Sequence, residues 1–170
     1  MDRIYLDINL LLYALCSKDK PDLTEKARHV INFIKEGVFL GIVSELVLLE
    51  LISGLRKSIF RGRTEYLTIN EIQRNVSAII FLIFQILNLI LFRSSQTFAE
   101  IEKEASSLME KYPGQVINGK YKFIHPLDVL HIILAKEAGC TAIYTNDIAY
   151  EQLKSEIPIQ ILQRERKQRK

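Results

Sequence analysis

Ile4-Tyr5-Leu6-Asp7-Ile8-Asn9 begins with three consecutive apolar residues that stop on a carboxylate. A short, continuously apolar run is the pattern of a strand covered on both faces, as in the centre of a parallel sheet. Three more segments lodge an acid among apolar neighbours: Glu50 in Leu46-Val47-Leu48-Leu49-Glu50-Leu51-Ile52, Asp128 in Pro126-Leu127-Asp128-Val129-Leu130, and Asp147 closing Ala142-Ile143-Tyr144-Thr145-Asn146-Asp147. Taking an ionised carboxylate out of water is costly unless it is paired or bound to a metal. No Lys or Arg stands within these runs, so a divalent cation is the expected partner.

Working outward from the first strand, Leu10 to Cys16 reads as a short helix. Asp22 to Glu36 reads as a longer one, with Pro21 at its start, apolar Ala27, Val30, Ile31 and Ile34 at helical spacing, and Gly37 as its stop. Val38 to Val43 is the next strand. Ser44 is an N-cap for a helix expected to run through Leu51 and stop near Gly54, carrying Glu50 on one face. A long helix from Thr64 to Phe84 should break between Gln85 and Asn88 and lead into a strand at Leu87 to Phe92. Thr97 to Lys111 is the following helix, ended by Tyr112-Pro113-Gly114. Gln115 to Phe123 reads as a loop or a small irregular insertion. Pro126 opens a helix that Gly139 ends, Thr141 to Tyr144 is a strand, and Pro158 to Leu162 is an edge strand. Strands alternating with helices imply parallel βαβ units, hence an α/β three-layer sandwich.

The chain of 170 residues, 48% hydrophobic and 25% charged, is long enough to bury one sizeable core. A single domain is expected over residues 1–162, followed by a basic tail at 163–170. That tail holds five basic residues and Glu165, so a net charge of +3 for the whole chain leaves the body at −1. It reads as a solvated end or as a phosphate-attracting arm. Arg56, Lys57, Arg61 and Arg63 form a second basic cluster close to Glu50, better placed to touch a polyanion. Cys16 and Cys140 lack metal or disulfide spacing and read as small hydrophobes of a reducing compartment. The start, Met1-Asp2-Arg3, lacks the features of a secretion signal, and a cytoplasmic location is expected.

Val76 to Phe92 spans 17 residues without a charge. A bilayer-crossing helix needs about 20 predominantly apolar residues, and this run is interrupted by Gln85 and Asn88, so a buried helix followed by a buried strand is expected. Surplus apolar surface on that helix could form a homodimer face.

In open parallel sheets, ligands bind beyond the carboxyl ends of the strands where strand order reverses. Asp7 and Asp147 both follow strand ends, Ser44 begins a helix at the same rim with Glu50 two turns farther in, and Asp128 sits in a helical first turn whose dipole favours a negative charge. Carboxylate oxygens are the ligands that hard cations such as Mg²⁺ and Mn²⁺ prefer. Such a site can activate water for attack on a phosphodiester and stabilise the leaving oxygen.

Tyr5-Leu6-Asp7-Ile8-Asn9, Ser44 with Glu50, Leu127-Asp128-Val129-Leu130-His131-Ile132-Ile133-Leu134-Ala135 and Ile143-Tyr144-Thr145-Asn146-Asp147 together resemble the four signature blocks of PIN-domain ribonucleases. Within that family the chain is most similar to the toxin of type II toxin-antitoxin pairs, over Asp7 to about Leu153. The resemblance implies a parallel sheet in the order 3-2-1-4-5 and an endoribonuclease dependent on Mg²⁺ or Mn²⁺, giving a 5′-phosphate product. It further implies a homodimer and a small antitoxin partner. Asp7, Glu50 and Asp128 match the three core metal-binding acids and Asp147 the more variable fourth. Asn9, Ser44 and Thr145 match the polar positions that orient those carboxylates. The stretch from Phe92 to Phe123 is longer than in compact toxins of this kind.

Taken singly, Asp7 and Asp128 read equally well as helix caps, Glu50 as part of an exposed stripe and Asp147 as a turn residue. His131, three residues after Asp128, can reach the same face but reads first as a packed or hydrogen-bonded histidine. Tyr13, Tyr144 and the phenylalanines read as core. Two alternatives remain: a catalytically silent α/β module that binds RNA or protein, and a phospho-acceptor receiver, which lacks the expected mid-chain Asp and late Lys.

Overall fold

The first strand, β1 (Asp2–Leu6), occupies the middle of the sheet, as its unbroken apolar run requires. The computed structural model describes residues 1–16, 20–61, 74, 77–78, 80–117 and 119–162. After β1 come α1 (Ile8–Cys16), α2 (Pro21–Lys35), β2 (Phe39–Ser44) and α3 (Glu45–Arg61). A π-helical segment, α4 (Leu82–Ile86), leads to β3 (Ile90–Phe92), and α5 (Phe98–Lys111) follows. The chain continues through β4 (Gln115–Ile117), β5 (Lys120–Lys122), α6 (Pro126–Glu137), β6 (Ala142–Thr145), a 3₁₀ helix at Ile148–Leu153 and β7 (Ile159–Ile161).

The main sheet is parallel throughout, in the order β3-β2-β1-β6-β7. Counted within that sheet alone, this is 3-2-1-4-5, and helices flank it to make an α/β three-layer, PIN-like sandwich. The chain first moves outward from β1 through β2 to β3 and then crosses back to place β6 on the other side of β1. Strand order therefore reverses at the β1/β6 pair. There Ile4 pairs with Ala142, Tyr5 with Ile143 and Leu6 with Tyr144, and the Asp7 N–H donates to the Tyr144 carbonyl at 3.1 Å.

Both faces of β1 and β2 are covered, so Ile4, Tyr5, Leu6, Ile42 and Val43 are buried together with Leu10, Leu11 and Ile34 on one set of helices and Val129, Ile132 and Ile133 on α6. At Gly41 a Cβ would lie 2.5 Å from the Leu89 side chain and 2.8 Å from the Ile34 side chain, so both would have to shift to admit a larger residue there. α6 begins at Pro126, as the first-turn preference of proline predicts, and its exit is turned by Gly139 at φ +66°.

Three expectations change. The helix carrying Glu50 does not stop near Gly54 but continues to Arg61, because one glycine costs only about 1 kcal/mol in a helix and Leu55, Arg56 and Lys57 are good helix formers. The segment from Gln115 to Phe123 is a regular antiparallel hairpin, β4–β5, outside the main sheet. Phe81, Phe98 and Phe123 are exposed rather than core, Phe98 by 81%. The expected break after the apolar helix is found at Asn88, which holds φ +55°, before β3 begins at Ile90. Most of the helix expected at 64–84 lies outside the described residues, and no described helix is long and apolar enough to cross a membrane.

Two polar clusters fix α5 and α6 against the sheet edges. Glu137 accepts from Ser94 Oγ and from Ser95 N and Oγ, tying α6 to the segment after β3. Glu156 accepts from Lys111, Tyr112 and Lys136, and those donors hold its carboxyl down at about 2. Cys140 is a free thiol, pushed up to about 12 by burial, and behaves as the small hydrophobe expected. Cys16's side chain lies outside the described residues.

Candidate functional site

Asp7 leaves β1 at the reversal point and is only 2% exposed, so its carboxylate must be satisfied locally. Thr145, the last residue of β6, donates its hydroxyl to Asp7 Oδ2 at 2.6 Å, and Asn9 donates its amide to the same oxygen at 3.1 Å. Two of the three expected supporting residues, Thr145 and Asn9, thus hold Asp7. Burial still raises the Asp7 carboxyl above its ordinary range; His131, Thr145 and Asn9 oppose the rise, and Glu50 adds to it.

Glu50 reaches the same place from α3. One ligand atom each from Asp7, Glu50 and His131 lie within 4.8 Å of one another, the one such cluster among the described residues. His131 is buried, and its Nε2 lies 2.9 Å from Glu50 Oε2. Its other ring nitrogen, Nδ1, lies 2.8 Å from the Tyr5 hydroxyl, which is 2.6 Å from Ser44 Oγ. Ser44 also accepts from the Val47 N–H at 3.3 Å, the N-cap contact expected from sequence. Ser44 therefore touches no carboxylate directly and reaches Glu50 through Tyr5 and His131.

Asp128 and Asp147 line the rim in capping roles. Asp128 Oδ2 accepts from the His125 N–H at 3.1 Å in the first turn of α6. Its carboxyl is raised, first by burial and then by the charges of Asp147 and Asp7, against the lowering contact with His125. Asp128 thus feels the negative charge of both Asp147 and Asp7. Asp147 Oδ1 accepts from Ala149 N at 2.9 Å and caps the 3₁₀ helix, while the Asp147 N–H donates to Thr145 Oγ1 at 3.0 Å. The capping readings thus hold for these two residues, and neither belongs to the close cluster of Asp7, Glu50 and His131.

Tyr5, His131 and Tyr150 acquire roles that sequence did not assign. The hydroxyl of Tyr150, 1% exposed, has no hydrogen-bond partner. Burial pushes that phenol well up, and Asp7, Asp128, Tyr5 and Glu50 push it further. The only sequence signal was position: Tyr5 two residues before Asp7, His131 three after Asp128 and Tyr150 three after Asp147. Of the basic cluster, Arg56, Lys57 and Arg61 have backbone on α3 but side chains outside the described residues, as do Arg63 and the tail at 163–170 entirely.

The donor set fits a hard divalent cation. It offers several carboxylate oxygens from separate elements, those of Asp7 and Asp128 raised by burial and by neighbouring negative charge, and no described Lys or Arg pairs with Asp7, Glu50, Asp128 or Asp147. A cation there would remove both the desolvation and the repulsion.

The fold has close counterparts among solved structures. VapBC2 from Rickettsia felis, bound to a DNA fragment from its promoter, superposes with a TM-score of 0.57 at 14% identity, covering 94% of this chain and 98% of that one. FitAcB from Neisseria gonorrhoeae gives 0.55 at 14% identity, with 94% and 97% covered. No curated protein sequence matches significantly. The family model for the PIN domain matches residues 4–155, a span that contains all four acids, and the chain belongs to the PIN domain family.

Proposed function

We propose that the protein is a Mg²⁺- or Mn²⁺-dependent endoribonuclease, acting as the toxin of a toxin-antitoxin pair. The observation that carries this reading is the convergence of Asp7 and Glu50, from the end of β1 and from α3, at the strand-order reversal. Asp7, Glu50, Asp128 and Asp147 are the residues that would hold the cation. When bound, it supplies Lewis-acid polarisation of a phosphodiester and activation of water.

The rest of the reaction is positioning by the protein. Thr145 and Asn9 fix the Asp7 carboxylate through one oxygen, Oδ2. Asp128 uses Oδ2 on the cap of α6, where the helix N-terminus favours its negative charge. RNA would be drawn to an acidic pocket by basic groups around it, for which Arg56, Lys57, Arg61 and Arg63 are the sequence candidates. A small antitoxin, a homodimer and a cytoplasmic location complete the proposal, on the strength of the family resemblance.

Wild-type protein incubated with RNA should cleave it in Mg²⁺ or Mn²⁺ and stop when EDTA is added, restored by excess cation. Salt-sensitive RNA binding with no cation-dependent cleavage would instead make the chain a silent binding module.

A further inference from the structure

His131 stands close enough to Asp7 and Glu50 to be taken for a third ligand. Both of its ring nitrogens, however, are already engaged, Nε2 with Glu50 Oε2 at 2.9 Å and Nδ1 with the Tyr5 hydroxyl at 2.8 Å. A cation on either nitrogen would have to break one of these bonds inside a region where Tyr5, Ser44 and His131 are all buried.

The hydrogen-bond directions can be worked out from the ends of the chain. A carboxylate oxygen only accepts, so Nε2 must carry the proton; a bare Nε2 would set one lone pair against another at 2.9 Å. In the singly protonated ring Nδ1 then accepts, so the Tyr5 hydroxyl donates to it. Tyr5 has one proton to give, and it therefore accepts from Ser44. Ser44 in turn accepts from the Val47 N–H, a backbone donor whose direction is fixed. Every step is consistent: Val47 N–H to Ser44, Ser44 to Tyr5, Tyr5 to His131, His131 to Glu50.

We infer that His131 is a positioning residue that holds the Glu50 carboxylate through Nε2–H, at the end of a directed hydrogen-bond chain running through Tyr5 and Ser44, and is not itself a ligand of the cation. This rests on the metal-dependent reading of the site. The chain gives a physical reason for four residues drawn from β1, β2, α3 and α6 to be joined: Ser44 caps the helix that carries Glu50, and the same hydroxyl feeds the bond that orients Glu50 one and a half turns later. Partners that orient liganding carboxylates typically change metal affinity about 10–100-fold when removed.

The test is calorimetric titration of Mn²⁺ into the metal-free full chain and its variants. His131→Leu should bind Mn²⁺ about 10–100-fold more weakly. His131→Gln should recover most of that loss, because its amide N–H can still donate toward Glu50. Tyr5→Phe should weaken binding less, and should add nothing in the His131→Leu background. Spin-echo modulation of the Mn²⁺-loaded wild type should show no directly coordinated nitrogen, and ¹⁵N spectra of the metal-free protein should show the proton on Nε2. A coordinated imidazole nitrogen, an unprotonated Nε2, or wild-type affinity in His131→Leu overturns the assignment. If His131→Leu does not fold, His131→Gln and the two spectroscopic readings on wild type decide. Wild-type protein that takes up no Mn²⁺ sinks the nuclease reading itself, whereas wild-type uptake with unaltered His131→Leu sinks only the role of His131.

Discussion

Asp7→Asn is expected to lower cation-dependent RNA cleavage by about 10²–10³-fold, since metal stabilisation of transition-state charge amounts to several kcal/mol and each 1.36 kcal/mol is tenfold. The substitution keeps the shape of the side chain and an oxygen that can accept from Thr145 and Asn9, so the β1/β6 junction should stay intact. What it removes is the negative charge at the reversal point of the sheet. Asp128→Asn should act in the same direction while retaining the acceptor that caps α6 through the His125 N–H. Full cleavage by both variants, with folding confirmed by circular dichroism, would remove these acids from the chemistry.

The second large effect concerns stability. Asp7 and Asp128 have carboxyls raised in the folded protein, so the folded state binds protons more tightly than the unfolded one in that range. Their penalty is absent below the ordinary carboxyl pKa and grows as pH rises toward the raised values, so in the EDTA-treated protein these two acids should cost stability between acid and neutral pH, against the opposite contribution of Glu156, whose carboxyl is held low. Asp7→Asn should flatten that slope and raise the Tm of the metal-free protein. Mn²⁺ reverses the penalty in the wild type: at about 100 times its Kd it should add about 2.7 kcal/mol. For a chain of this size that corresponds to a rise of about 5–10 °C. Thermal melts across pH, with EDTA or Mn²⁺, measure both. A metal-free gap between Asp7→Asn and wild type that does not widen toward neutral pH, or a wild-type melting temperature indifferent to Mn²⁺, contradicts the expectation.

Much of the fold was legible because its signals are local. Ile4-Tyr5-Leu6 is apolar without alternation only if both faces are covered, and that placed β1 in the centre. Pro126 and Gly139 marked the two ends of α6, and Thr97 marked the start of α5, where it forms a reciprocal cap with Glu100. The acids were legible for the opposite reason, as charges standing where apolar residues belong.

What escaped depends on contacts between distant segments. Nothing near Gly54 tells that α3 continues, because one glycine is too small a penalty to stop a helix. The β4–β5 hairpin and the residue after it leave Val116, Tyr121 and Phe123 exposed, so its described side chains carry no buried face to read. His131 and Tyr5 are 126 positions apart, and Tyr5 looked like plain core because its ring is buried. Only its hydroxyl, joined to Ser44 and His131, belongs to the site. The orphaned hydroxyl of Tyr150 likewise appears only once the 3₁₀ helix after Asp147 folds it under the carboxylates.

The central claim is that acids from β1, α3, α6 and the turn after β6 form one pocket built for a divalent cation. Titrating Mn²⁺ by calorimetry into EDTA-stripped wild type and into Asp7→Asn addresses it without reference to any substrate. Saturable binding by the wild type that is lost or strongly weakened in Asp7→Asn is the predicted result, and superimposable isotherms, or no binding heat in either, would contradict it.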